Sequence, residues 1–288
     1  MQSAVNPIEL LQAIGIHEVN SVRPVTGGLD TAIWRVDSGG SAYALRVFRP
    51  VQAGTAALES AAMSAAATAG IPVPLLHTAG EWNGRPYMLL SWCEGRPMAR
   101  EMLRQPWHLW SMAVCAGRMQ ARLHRVVAPP EIKQRRNWMD WGKCDPGLLA
   151  TLRALAVNNE ALLHGDFHPL NVLMSGTTVT AVIDWTTACA GDPRADVART
   201  LTILLLAPVY RGWERVLFSP IRRLLAAGWL RGYTAESGPL ADMAPFYVWA
   251  GIVLRTDFAA KIGRPGLTLA EADLRPIDRW VEAWRRRM

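Results

Sequence analysis

Through the first third of the chain the apolar positions fall in short runs, at residues 22–25, 32–36, 42–48, 75–79 and 86–92, separated by turns rich in glycine, asparagine and aspartate. Runs of that length between turn formers predict strands, and the close spacing of the first three predicts an antiparallel meander. Ahead of them Asn6-Pro7-Ile8-Glu9 reads as a helix start, with Asn6 as N-cap, Pro7 in the first turn, and Gly15 closing the helix. Residues 55–69 are alanine-rich without proline or glycine, so they predict a helix that Gly70, Pro72 and Pro74 stop. From Glu94 the pattern turns helical, at about 107–125, 146–157, 194–206, 213–235, 240–260 and 269–286. The last of these opens with Thr268-Leu269-Ala270-Glu271 at capping-box spacing. Short strand-like runs at 172–174 and 179–183 sit among the helices. The sum is an α+β chain of two lobes, 1–93 and 94–288, with a cleft between them where a ligand commonly binds.

Length and composition narrow the class. At 288 residues the chain has ample core without metals or disulfides, and Cys93, Cys115, Cys144 and Cys189 form no Cys-x-x-Cys pair. Scattered thiols suit a reducing cytosol. The N-terminus carries no secretory pattern, and the longest apolar run, 201–209, is broken by Thr202 and Pro208, far short of the roughly 20 residues a membrane span needs. A cytoplasmic protein without membrane contact is expected. Charge is uneven: residues 1–93 carry net −1 and residues 94–288 net +8. The arginines of the second part, among them Arg125, Arg135, Arg136, Arg222 and Arg223, are dispersed and lack interleaved aromatics. They predict a solvated basic surface, with no nucleic-acid partner.

The chemistry concentrates in one stretch. His164-Gly165-Asp166-Phe167-His168-Pro169-Leu170-Asn171 is followed by Val182-Ile183-Asp184-Trp185 and then Gly191-Asp192-Pro193. Asp166, after a glycine in a polar turn, is a candidate general base for an attacking hydroxyl. Asn171 and Asp184 offer a neutral and an anionic oxygen, a sparse set that suits Mg²⁺ shared with phosphate oxygens and water. Each residue alone reads as an ordinary turn former. Their ordered combination carries the functional reading.

This stretch resembles the catalytic core of the aminoglycoside phosphotransferase and choline kinase-like family of small-molecule kinases, which share the protein kinase fold. The resemblance implies Asp166 as catalytic base, and Asn171 and Asp184 as Mg²⁺ ligands. Trp185-Thr186 stands where protein kinases have Phe-Gly, which favours a small-molecule kinase. It implies loop-bracing roles for His164 and His168, and Asp192 and Asp196 as a helix cap and loop anchor. The turn at Thr26, Gly27, Gly28 and Thr31 would cradle nucleotide phosphates. Arg46, paired with Glu59, would replace the phosphate-gripping lysine, since Lys133, Lys143 and Lys261 all lie beyond the first lobe. Arg49 is a rival that strand alternation puts on the other face. The backbone at Trp92 and Cys93 would meet the purine, with ATP as default nucleotide and GTP open.

The acceptor is less legible. A basic second lobe gives little support to polycationic aminoglycosides, although Asp192 and Asp257 could line a local acidic cleft. Most of the later tryptophans, Trp138, Trp141, Trp185 and Trp249 among them, read as core, with an aromatic cage for a quaternary ammonium as the alternative. Trp249 and Asp257 are the candidate pair, about two turns apart on one helix. The expected activity is Mg²⁺-dependent transfer of the ATP γ-phosphoryl to a hydroxyl of a small molecule: an aminoglycoside, macrolide, choline, homoserine or sugar. The enzyme would work as a monomer or homodimer. A nucleotide-binding pseudokinase with a regulatory or scaffold role is the rival, raised by the missing lysine and the short glycine turn.

Overall fold

A computed structural model describes residues 5–25, 31–156, 159–208, 212–264 and 268–288. Asn6 caps α1 (Pro7–Ala13): its side-chain oxygen accepts the Ile8 amide at 3.1 Å, and Pro7 is harmless in a first turn whose N–H groups have no helical partner. There follow β1 (Val19–Pro24), β2 (Ala32–Ser38), β3 (Ser41–Val47), α2 (Ala53–Thr68), β4 (Leu76–Trp82) and β5 (Arg85–Ser91). The strands pair antiparallel in the order β1-β2-β3-β5-β4. Alternation along β3 gives the two faces different work. Leu45 and Val47 join Val36, Tyr87 and Leu89 under Leu10 and Leu11 of α1. Arg46, across from Ile33 and Met88, turns to the other face and meets α2.

The second part holds β6 (Arg96–Pro97), α3 (Met98–Arg104), α4 (Leu109–Leu123), α5 (Pro130–Lys133), α6 (Pro146–Leu155), β7 (Ala161–Leu163), β8 (Val172–Ser175), β9 (Thr178–Val182), β10 (Cys189–Gly191), α7 (Pro193–Leu206), α8 (Gly212–Ser237), α9 (Met243–Ala259) and α10 (Arg275–Arg285). Its core is aromatic. Trp138, Trp185, Trp229 and Trp249 are fully buried with Phe167, Phe246 and Tyr233. No helix among the described residues is long and apolar enough to cross a membrane.

Glycines set how closely α4 and α8 approach. A Cβ on Gly117 would lie 2.0 Å from the Trp229 carbonyl oxygen, and one on Gly232 would lie 2.0 Å from that of Val114. In a free helix Gly→Ala would gain up to about 1 kcal/mol. Here the obstruction is backbone, which no rotamer change relieves. We expect Gly117→Ala to destabilise the protein by roughly 1–3 kcal/mol, read as a lower denaturant midpoint.

Two expectations needed revision. The last helix does not open at Thr268: Asp273 accepts the Ala270 amide at 2.9 Å and opens a 3₁₀ turn, Glu271–Leu274. Pro276 can only enter a new first turn, so α10 starts at Arg275. Glu271 instead pairs with Arg255. The arginines are not all solvated: Arg222 is buried and donates to the Leu204 carbonyl at 2.6 Å, which completes the end of α7, and Arg135 reaches the Ala188 carbonyl at 2.8 Å. The elements β6, α3, α5, β7 and β10 carry no pattern long enough to announce them.

Candidate active site

Residues 164–171 connect β7 to β8 in a loop whose conformation is held by its own histidines. Each has Nδ1 accepting a backbone N–H, His164 from Asp166 at 3.3 Å and His168 from Leu170 at 3.2 Å. The proton therefore sits on Nε2. His164 gives it to the Ile183 carbonyl at 3.1 Å and His168 to Asp166 Oδ2 at 3.2 Å. Asn171 spends its amide nitrogen on Asp166, on the carbonyl oxygen at 3.0 Å and on Oδ2 at 3.3 Å. Its Oδ1 then lies on the side of the amide away from Asp166.

The β8–β9 hairpin brings the second carboxylate beside this loop. Val172 pairs with Val182, and one further bond from the Ile183 amide to the Asn171 carbonyl, 2.9 Å, extends the ladder to its open end. Asp184 comes next, with φ at 63°, a left-handed conformation that aspartate tolerates better than most residues. Thr186 Oγ1 holds its Oδ1 at 2.7 Å, and the side chain remains 44% exposed. Trp185 turns inward, fully buried, its indole N–H on the Val182 carbonyl at 2.9 Å. This is how the chain manages without Phe-Gly: the indole packs 4.8 Å from the His164 ring and anchors the turn.

Arg46 reaches the same place from the sheet. Its Nη1 lies 2.5 Å from Glu59 Oε1, its Nη2 3.5 Å from Asp184 Oδ1, and its Nε 3.2 Å from Thr31 Oγ1. Glu59 Oε1 also accepts the Trp185 amide at 3.0 Å, so one buried carboxylate joins β3, α2 and the Asp184 turn. Burial pushes Glu59 upward against the pull of Arg46. Arg49 lies exposed beyond the end of β3. Thr26, Gly27 and Gly28 lie outside the described residues.

At the lobe junction the Trp92 amide is taken by the Ala42 carbonyl at 3.0 Å, and Arg35 stacks 4.9 Å from the Trp92 ring. Among the described residues, the Cys93 amide and carbonyl have no backbone partner. Trp249 is core, set edge-on to Trp138 at 4.8 Å, so it forms no cage wall. Asp257 is 41% exposed and bound to Arg199 at 2.6 Å.

The grip of α7 on the loop follows what the resemblance implied for Asp192 and Asp196, while the parts of Arg199 and Thr200 were overlooked in the sequence. Asp192 caps it by accepting the Arg194 amide at 2.9 Å. From its first turns Asp196, Arg199 and Thr200, spaced i, i+3 and i+4, face the loop together. Asp196 accepts the amides of Gly165 at 2.8 Å and His164 at 3.2 Å; Arg199 donates to the Gly165 carbonyl at 2.8 Å, and Thr200 to the Phe167 carbonyl at 2.9 Å. That spacing was a readable signal.

Electrostatics follow from burial. For Asp166 burial works against ionisation, but the His168 hydrogen bond and the nearby Arg199 guanidinium outweigh it and hold the carboxyl well below the usual range. Asp196 is likewise depressed, the His124 contact overcoming burial. His164 is the opposite case: burial holds it below its ordinary 6.5. The unfolded chain therefore takes up that proton first, and stability declines as pH falls below about 6.5, with the depressed carboxyls adding their loss only below their ordinary 3.8. The denaturant midpoint should drop between pH 7 and pH 5.5, and His164→Gln should flatten that drop.

Among the described residues no group of three His, Cys, Asp or Glu forms a metal cage. Asn171 Oδ1 and the half-exposed Asp184 carboxylate do fit a hard cation that draws its other ligands from phosphate and water. An antiparallel sheet bearing an arginine–glutamate pair, with a helical lobe bearing this loop, is the two-lobed arrangement of a protein kinase-like phosphotransferase. A model of the Phosphotransferase enzyme family matches residues 21–246, and the chain belongs to that family. The fold is shared with the aminoglycoside phosphotransferase APH(4)-Ia, at 17% identity over 97% of each chain and a TM-score of 0.67. It is also that of the macrolide 2'-phosphotransferase MphH from Brachybacterium faecium, at 19% identity over 96% of this chain and 97% of that one, with a TM-score of 0.57. The spectinomycin phosphotransferase APH(9)-Ia, solved with ADP and spectinomycin, is 13% identical over 96% and 93%, with a TM-score of 0.61.

Proposed function

We propose that the enzyme moves the γ-phosphoryl group of ATP to a hydroxyl of a small molecule, with Asp166 as the base. The observation that carries this reading is that two groups, Asp166 with Asn171 and Asp184 with Arg46 and Glu59, are tied together by the Ile183 amide on the Asn171 carbonyl at 2.9 Å. In this reading residues 1–93 hold the nucleotide and residues 94–288 supply the loop and the acceptor pocket. Arg46 takes the α- and β-phosphates, steered by Glu59 and Thr31. Cys93 offers its free amide and carbonyl to the purine edge. Asn171 Oδ1 and Asp184 would hold Mg²⁺, which when bound neutralises charge on the transferring phosphate. Asp166, ionised at any working pH, orients the acceptor hydroxyl and accepts its proton as the bond to phosphorus forms. The integrity of the Arg46–Glu59 pair supports catalysis over a scaffold role, since it supplies the cation that the absent lysine left in question.

The acceptor class is an antibiotic such as an aminoglycoside or macrolide, or a metabolite such as choline, homoserine or a sugar. The likeness to antibiotic-modifying enzymes supports the first group. The burial of Trp138 and Trp249 removes the clearest aromatic cage from the second. The test is a screen of these compounds with Mg-ATP and Mg-GTP and mass detection of the product. A phosphorylated acceptor supports the reading; nucleotide binding without transfer to any of them counts against it.

A further inference from the structure

His124, at the C-terminal end of α4, is assigned no part above in holding nucleotide or metal, yet it is buried in contact with the anchor of the loop. Its Nε2 is 3.0 Å from Asp196 Oδ2, and its Nδ1 is 2.8 Å from the Tyr233 hydroxyl of α8. The Asp196 side chain has no exposure to solvent and that of His124 only 3%. One turn earlier on α4, Gln120 faces the same carboxylate, its Nε2 3.3 Å from Asp196 Oδ2 and 2.9 Å from Thr200 Oγ1. Gln120 is itself fixed by the Trp229 indole, which donates to its Oε1 at 2.8 Å.

Asp196 is thus satisfied from two sides. Its oxygens accept the His164 and Gly165 amides of the loop, while His124 and Gln120 bind Oδ2 from behind. A buried carboxylate turns about its side-chain torsions until its donors are met, so those donors set its orientation. The Gly165 amide is one residue from Asp166, and Gly165 sits at φ 77°, a conformation that no other residue takes easily. Movement of Asp196 therefore moves the peptide that aims Asp166. Gln120 is a neutral donor at 3.3 Å; His124 is the closer contact and the one braced from outside by Tyr233.

We propose that His124 is a positioning residue for phosphoryl transfer, acting through Asp196 to fix the loop that carries Asp166. This rests on the reading of residues 164–171 as the catalytic loop. The chain from α8 to the loop is then Tyr233 hydroxyl, His124 ring, Asp196 carboxylate and the two loop amides, every link a hydrogen bond of 3.2 Å or less.

Two polar variants separate this role from simple core filling. In His124→Gln the amide nitrogen falls near the place of Nε2 and keeps the bond to Asp196. In His124→Asn the amide falls near Nδ1, so it keeps the Tyr233 contact and loses Asp196. The experiment is hydrogen exchange of the full chain, following residues 161–175 against residues 32–47. We expect at least tenfold faster exchange in 161–175 for the Asn variant, near-unchanged exchange for the Gln variant, and no change in 32–47 for either. With an acceptor in hand, the Asn variant should lose at least tenfold in kcat while KM for Mg-ATP holds, and the Gln variant should restore most of it. Equal loop exchange in the Asn variant and the wild type would overturn the proposal, as would loss of protection in both segments together or equal defects in both variants. The exchange result stands whether or not an acceptor is found, so failure of the screen and failure of this proposal are distinguishable.

Discussion

Asp166→Asn should lower kcat for acceptor phosphorylation by roughly 10²–10⁴-fold, the usual worth of a positioned general base. The loop should survive the change. Asn171 and His168 both donate to the Asp166 side chain, and an asparagine oxygen still accepts from them. The loop is also held elsewhere, by Asp196 on the His164 and Gly165 amides and by Thr200 on the Phe167 carbonyl. What the variant loses is the negative charge that receives the hydroxyl proton. Mg-ATP affinity should change little, because the proposed phosphate contact is Arg46 and the proposed metal ligands are Asn171 and Asp184. A fall in kcat with unchanged nucleotide affinity is the pattern to look for, measured by steady-state transfer and by calorimetry.

Asp184→Ala should remove activity more completely, by several powers of ten. Metal neutralisation of phosphate charge is worth several kcal/mol to the transition state, and about 1.4 kcal/mol corresponds to tenfold in rate. Asn171 alone offers the cation one neutral oxygen. The variant also frees Arg46 Nη2 from its 3.5 Å contact, so nucleotide can still bind through Arg46 while transfer fails. Titration with Mg²⁺ should raise ATP affinity in the wild type and barely alter it in the variant. Equal Mg²⁺ enhancement in both proteins would remove Asp184 from the metal site. The fold should hold, since Asp184 is half exposed and the turn is kept by the Trp185 amide on Glu59 and the Trp185 indole on Val182.

The strand meander, the α2 helix and the later helices were readable because each carries a long apolar pattern or a clear stop. Arg46 and Glu59 were paired through the resemblance, which asks for a cation on the third strand and an acid on the following helix, and strand alternation served only to set Arg49 apart. Asp166, Asn171 and Asp184 were readable as a set because they lie within one loop and hairpin. What stayed hidden was contact between distant elements. Nothing in the sequence joins Gln120 and His124 to Asp196, residues over 70 positions apart, since helix–helix pairing depends on packing that local pattern does not encode. Arg222 was misread for the same reason: one of a set of dispersed arginines looks solvated until the end of α7 is found beside it. Trp249 showed the converse limit, because helical spacing to Asp257 says that two residues lie within reach of one face but not whether that face meets solvent.

The most direct test of the central claim runs the wild type and Asp166→Asn side by side, with Mg-ATP and the best acceptor from the screen, both saturating, and counts phosphorylated product by mass. The account predicts product from the wild type and a rate at least a hundredfold lower from the variant, at equal nucleotide occupancy. Product formed by the variant at the wild-type rate would contradict it.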